Sequence, residues 1–152
     1  MKEGTFVVTE ADESSAVLRD ASDRQIHTLA ENSGLEAGDV LEGTIEAEPP
    51  MEVVWSVVET DSQYTVSVSE SPEPPTQRAR ETAADQAVGE VTRHERAGTG
   101  EVHVLTVPED GTEAAVADVL DDEGTVERAA RLGVERVEVR AEDGVVSVRY
   151  LP

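Results

Sequence analysis

Cysteine is absent, lysine occurs once (Lys2), and the chain of 152 residues holds one Phe, one Trp and two Tyr. Without cysteine there is no disulfide, no thiolate nucleophile and no thiolate metal centre. No apolar run approaches the roughly 18 residues that a membrane-spanning helix needs. The opening Met1-Lys2-Glu3-Gly4 has no basic stretch leading into an apolar one. No signal peptide is therefore expected, and the expected location is cytoplasmic, away from any membrane. Nucleophile-elbow, dinucleotide and phosphate-loop glycine patterns are missing, as is the paired-histidine zinc motif. The expectation is a protein without a cofactor and without assembled catalytic chemistry.

Negative charge is what the chain has in excess. Asp and Glu number 34 against 12 Lys and Arg, a net charge of −22. Acidity with few aromatics can signal disorder, but here the acids are dispersed among regular apolar patterns. Eleven of the twelve basic residues are arginine, which is weakly hydrated and pairs through a fixed fork, whereas lysine is a strongly hydrated point charge. An acidic, lysine-poor surface over a core of Ala and Val suits concentrated salt. At about 1 M salt the Debye length is roughly 3 Å, so the self-repulsion of the surface is screened. The charge reads first as adaptation to solvent, which leaves nucleic-acid binding neither favoured nor excluded.

The clearest seam is Ser69-Glu70-Ser71-Pro72-Glu73-Pro74-Pro75, whose prolines can continue neither strand nor helix. It divides residues 1–68, a linker at 69–75, and residues 76–152. The first part reads as short strands at Thr5-Phe6-Val7-Val8-Thr9, Ala16-Val17-Leu18-Arg19, Gln25-Ile26-His27-Thr28-Leu29, residues 38–45 and residues 53–58. A sixth is expected at residues 64–68, where apolar and polar residues alternate. Strands without intervening helices predict a small antiparallel β-barrel. The second part changes pattern. Residues 76–88 are Ala-rich, with Thr76 placed to cap a helix and Gly89 to end it. Strands at 90–96 and 101–107 flank Ala97-Gly98-Thr99-Gly100. Residues 112–121 carry a helical apolar stripe, and Thr125 opens a further helix to Leu132. Residues 134–140 and 145–151 form a last hairpin around Asp143-Gly144. The fold expected is α+β: an OB-like barrel, then an α-β-β-α-α-β-β unit whose helices cover one face of a sheet. The stretch 145–151 reads equally as a free edge or as a central strand.

Three groups of residues stand out chemically. If the first hairpin turns at Gly98-Thr99, His94 stands opposite His103 and Glu101 opposite Arg96. Two imidazoles and a carboxylate on one face can ligate a divalent metal, or can simply be sheet histidines. Arg128, Arg131, Arg136 and Arg140 form the densest basic cluster, able to contact phosphate or to pair with Glu127, Glu135 and Glu138. Trp55, within a strand, reads as core or as a stacking residue.

Two resemblances extend this reading. The segments Gly4-Thr5-Phe6-Val7-Val8-Thr9-Glu10, Ala16-Val17-Leu18-Arg19-Asp20, Pro49-Pro50-Met51-Glu52-Val53 and Val145-Val146-Ser147-Val148-Arg149-Tyr150-Leu151-Pro152 resemble a family of haloarchaeal proteins of unknown function. That resemblance runs end to end and implies no activity. Within residues 4–46, Val17-Leu18-Arg19-Asp20, Ile26-His27-Thr28-Leu29-Ala30-Glu31 and Gly38-Asp39-Val40-Leu41 resemble in order the segments of S1-type OB domains. That second resemblance implies RNA binding, with Phe6, Arg19 and His27 near a face that stacks bases and contacts phosphates. The leading expectation is a non-catalytic protein that binds a protein partner. Nucleic-acid binding by the barrel comes second, and an enzyme or metal protein using His94 and His103 third.

Overall fold

A computed structural model describes all of residues 1–152. The chain forms two compact units, one of Met1–Val66 with Val126–Arg131, the other of Ser67–Thr125 with Leu132–Pro152. Together they give an α+β protein: a closed five-stranded barrel, a second five-stranded sheet and three α-helices. No helix is long and apolar enough to cross a membrane.

The barrel strands are β1 (Lys2–Ala11), β2 (Ala16–Asp20), β3 (Ile26–Leu29), β4 (Asp39–Ala47) and β5 (Trp55–Thr65), closed in the order β1-β2-β3-β5-β4. Period-two alternation fills the interior. Ala16 and Leu18 of β2, Leu29 of β3, and Leu41 and Ile45 of β4 join Phe6 and Val8 of β1 in one buried cluster. The loop between β3 and β4 supplies Leu35 to the same cluster. Asn32 shapes that loop. Its Oδ1 accepts from the backbone N–H of Gly34 at 3.1 Å and of Leu35 at 2.8 Å, and its Nδ2 donates to the carbonyls of Asp12 at 2.7 Å and Leu35 at 3.0 Å. This local side-chain turn aims Leu35 inward. Closure between β3 and β5 is slight: one parallel pair, Leu29 with Trp55, plus a 2.9 Å bond from Ala30 N–H to the Trp55 carbonyl.

The strand expected at residues 53–58 and part of the one expected at 64–68 are a single long strand, β5. Two register shifts between β4 and β5 bend it without ending it. The next strand, β6 (Ser67–Glu70), lies in the second sheet, parallel to β9 (Arg136–Glu142), so the barrel has five strands.

That second sheet runs β6-β9-β10-β8-β7, with β7 at Val91–Glu95, β8 at Glu101–Thr106 and β10 at Val145–Leu151. Residues 145–151 are therefore central, and the edges are β6 and β7. Helix α1 (Gln77–Ala84) is capped by Thr76, whose Oγ1 accepts from Ala79 N–H at 3.2 Å. Its small residues Ala79 and Ala83 let it sit close on Val104, with Val102 and Val145 beside them. Helix α2 (Thr112–Asp121) instead places Thr112 and Val116 beside Ala141 and Glu70, residues that alternate to the opposite face. Helices thus flank both faces, not the single face expected. The reason is visible in β10, where Val146, Ser147 and Val148 are consecutive and 0%, 1% and 3% exposed. Three buried neighbours in a strand require cover on both sides. Helix α3 (Glu123–Leu132) contributes its middle residues to the barrel unit.

Candidate functional site

A group of titratable side chains gathers where β1, β2 and β3 meet. In β3, Ile26 and Thr28 point outward, so His27 and Leu29 point inward. His27 is 5% exposed and lies edge-on to Trp55, with ring centroids 4.6 Å apart, and to Phe6 at 6.0 Å. Its Nε2 is 2.9 Å from Nζ of Lys2. The same ammonium is 2.9 Å from Asp23 Oδ2, 3.3 Å from the buried Asp20 Oδ2 and 3.4 Å from Gln25 Oε1. An ammonium only donates, so Nε2 of His27 accepts and the neutral ring carries its proton on Nδ1. Burial, then the charge of Lys2, lowers the His27 pKa below 6.5, against the opposite pull of Asp23 and Asp20. Burial works against the Lys2 charge, but hydrogen bonds to Asp23 and Asp20 outweigh it and raise its pKa. The lone pair that would make His27 a base is thus already held by Lys2. The chain's single lysine ties β1 to His27 of β3 and to Asp20 and Asp23 beside the β2–β3 turn.

Phe6 and His27 therefore face the barrel interior, Phe6 with no exposed surface. Arg19 lies on the outside of β2, so the three residues do not share a face. The Arg19 guanidinium is 3.2 Å from Glu127 Oε1, and Arg24 Nε is 3.6 Å from Glu127 Oε2. Glu127 is itself buried. Trp55 is half-buried against the core cluster.

The four expected arginines divide between the units. Arg128 and Arg131 fall within Val126–Arg131, and Arg131 donates to the Ala21 carbonyl at 3.2 Å. Arg136 and Arg140 stand on β9 in the other unit. Arg136 is exposed, and Arg140 pairs with Glu73 at 2.8 Å and with Glu138.

The expected His94–His103 pair does not form. Arg93 is the partner of His103, and His94 faces Val102 across the hairpin. The loop is centred on Gly98, not between Gly98 and Thr99, and this one-residue difference sends the two imidazoles to opposite faces. Glu101 accordingly faces Glu95, not Arg96. His94 joins β7 to α1: Arg78 donates to its Nδ1 at 3.1 Å, and its Nε2 lies 3.0 Å from Thr82 Oγ1. His103 is buried beside Tyr150, with ring centroids 4.9 Å apart, and pairs with Glu101 at 2.8 Å. No group of three or more His, Asp or Glu side chains is arranged to hold a metal ion.

One surface escaped the reading of single residues. The β4–β5 hairpin carries Met51, Val53 and Val58 at 76%, 68% and 52% exposure, solvent-facing apolar side chains on an acidic chain. Its tip is shaped by a cis Pro49–Pro50 bond and by Glu52 at φ 57°. Beyond Trp55 the outer edge of β5 has no strand partner, since β3 joins it at Leu29 alone. Glu31, Glu48, Ser33, Ser56 and Val57 line a hollow of about 240 Å³ in the same unit, with Ser56 Oγ donating to Glu48 at 3.0 Å. The signal in the sequence was the Pro-flanked run Met51-Glu52-Val53-Val54, apolar where a loop is usually polar.

A filled barrel, a mixed sheet and an apolar hairpin tip define a two-unit α+β protein. The chain belongs to the family of unknown function DUF5812, whose model matches residues 2–141. No curated protein and no solved structure matches the chain.

Proposed function

We propose that this protein is a non-catalytic, salt-adapted cytoplasmic adaptor that binds a protein partner through the β4–β5 hairpin of an OB-like barrel. The observation that carries the reading is the combination of exposed Met51, Val53 and Val58 with the unpaired outer edge of β5. Exposed apolar clusters on polar surfaces mark interaction sites, and a free strand edge accepts an extended segment. The partner segment is extended and apolar, flanked by basic residues that meet Glu48, Glu52, Glu59 and Asp61 around the hairpin. In salt this charge match contributes little affinity, and the apolar contact supplies it.

The test is capture of the tagged chain from crosslinked cells of a haloarchaeal host in concentrated KCl, with and without nuclease. The expected result is a defined partner that survives nuclease and is lost on Met51→Asp or Val53→Asp. A partner retained by both variants overturns the hairpin as the docking site.

The strand order β1-β2-β3-β5-β4 supports a second reading, nucleic-acid binding on the outer face of β2 and β3. Val17, Arg19, Ile26 and Thr28 form that face. Phe6 and His27 would then act only by positioning the strands. Under this reading nuclease releases the co-purifying material, and Arg19→Ala weakens binding.

A further inference from the structure

In a chain with −22 net charge, three of the eleven arginines converge on one face of the second sheet. Arg140 of β9 and Arg149 of β10 share the face that carries Ser147 and Glu138, by the register Ser147 with Arg140 and Arg149 with Glu138. Arg96, just past β7, is held near the end of β10 by the hairpin. Gly100 leaves no room for a Cβ, which would lie 2.1 Å from the Tyr150 carbonyl oxygen and 3.3 Å from Arg96 Cδ. Arg96 is fixed there by a 2.7 Å bond from its guanidinium to the Thr99 carbonyl.

The carboxylates present do not satisfy this group. Glu138 is committed to Arg140 Nε, and its Oε1 stands 3.6 Å from Arg149 Nε, beyond hydrogen-bond reach. Arg149 Nε is buried and has no hydrogen-bond partner. An unpaired buried donor on a charged group is costly, so such an atom calls for an acceptor. The other carboxylate is Glu73, which reaches Arg140 at 2.8 Å from the Pro-rich segment and is 65% exposed. Burial, then the like charge of Arg140, lowers the Arg149 pKa. Glu138 opposes this, Arg96 adds to it, and Glu73 opposes it. The local balance of three guanidiniums against two carboxylates leaves one positive charge in excess.

We propose that Arg96, Arg140 and Arg149 form an oxyanion site of the phosphate class, and that the Glu73 carboxylate holds the Arg140 fork until the anion displaces it. Planar guanidiniums match tetrahedral oxyanions through paired N–H donors, which a point charge does not. Glu73 is suited to yield because it is exposed and its segment, Pro72 to Pro75, carries it on a stiff tether outside any strand or helix. The site lies wholly in the second unit and does not depend on the barrel reading.

The experiment is titration of the full chain with inorganic phosphate at constant ionic strength against chloride, read by the arginine Nε–H resonances and by Tm. Saturable phosphate binding that shifts Arg149 Nε–H is expected. Arg149→Lys should weaken it about tenfold by losing the fork. Glu73→Gln should tighten it severalfold, a gain that misfolding cannot mimic. Arg93→Ala, on the opposite face of the same hairpin, should leave it unchanged. A nucleoside monophosphate binding more tightly than phosphate assigns the anion to a phosphorylated small molecule, and equal binding assigns it to free phosphate. Binding that is absent in the wild-type chain, or unaltered in both Arg149→Lys and Glu73→Gln, overturns the proposal.

Discussion

Nζ of Lys2 lies 2.9 Å from Nε2 of His27, and that contact holds only while the imidazole is neutral. Protonation would place two cations together at the barrel end where the His27 ring packs edge-on to Phe6 and Trp55. Asp20 and Asp23 offset this in part, but the net direction is a lowered His27 pKa. The folded state therefore takes up this proton less readily than the unfolded chain. The stability contributed by the neutral ring is fully present above pH 6.5 and is lost as pH falls through the folded pKa. Denaturant midpoints measured from about pH 7.5 down to about pH 5 should fall accordingly. In Lys2→Met the cation that presses the pKa down is gone while the two aspartates remain. The His27 ring proton should then titrate at higher pH by NMR, and an unchanged titration would count against the arrangement.

Glu127 is 3% exposed and pairs with Arg19 and Arg24. Arg24 is 66% exposed and stands at the longer distance of 3.6 Å, so Arg19 is the stronger partner. Removing one side of a buried pair strands the other, and Arg19→Ala should cost about 3 kcal/mol. Replacing both residues with leucine should recover most of that loss. A double-mutant cycle in urea checks it: additive losses would show that the two side chains do not interact.

Gly43 sits in β4 opposite Thr60, where a Cβ would lie 2.1 Å from the backbone oxygen of Glu59. Backbone cannot give way as a flexible side chain does. Gly43→Ala should destabilise by about 3 kcal/mol or more, with faster amide exchange concentrated along β4 and β5. A loss below about 0.5 kcal/mol would mean that the register shifts beside Gly43 absorb the methyl group.

Leu35 belongs to a loop, yet it is 6% exposed within the barrel cluster. Leu35→Ala should cost about 2–4 kcal/mol, as for a core leucine. Asn32→Ala, which removes the side chain that turns the loop, should cost about 1–3 kcal/mol. Thermal unfolding of the two variants measures both, and losses near zero would place Leu35 outside the cooperative core.

Much of the local structure was legible from residue chemistry. Thr76 caps α1, the stripe at residues 112–121 is α2, and Asp143-Gly144 turns the last hairpin with Gly144 at φ 85°. These features depend on a few neighbouring residues and on backbone conformations that only certain side chains permit.

Whatever required knowing the partner of a strand was not legible. The hairpin around Gly98 was expected one residue out of register, and that single step separates His94 from His103. His27 looked like a surface residue because its own strand is too short to state which face is inner. Pairing of β2 with β1 and β3 decides it. The basic cluster looked continuous along the chain, yet residues 126–131 cluster with the barrel unit while β9 belongs to the other. Charge, the cap of α1 and the turn at Asp143-Gly144 are properties of short stretches, and the sequence by itself determines them. Register, the side on which a helix packs, and the convergence of Arg96, Arg140 and Arg149 depend on residues far apart in the chain. Only the tertiary structure decided those, because a strand's alternation sets two faces without saying what will cover either.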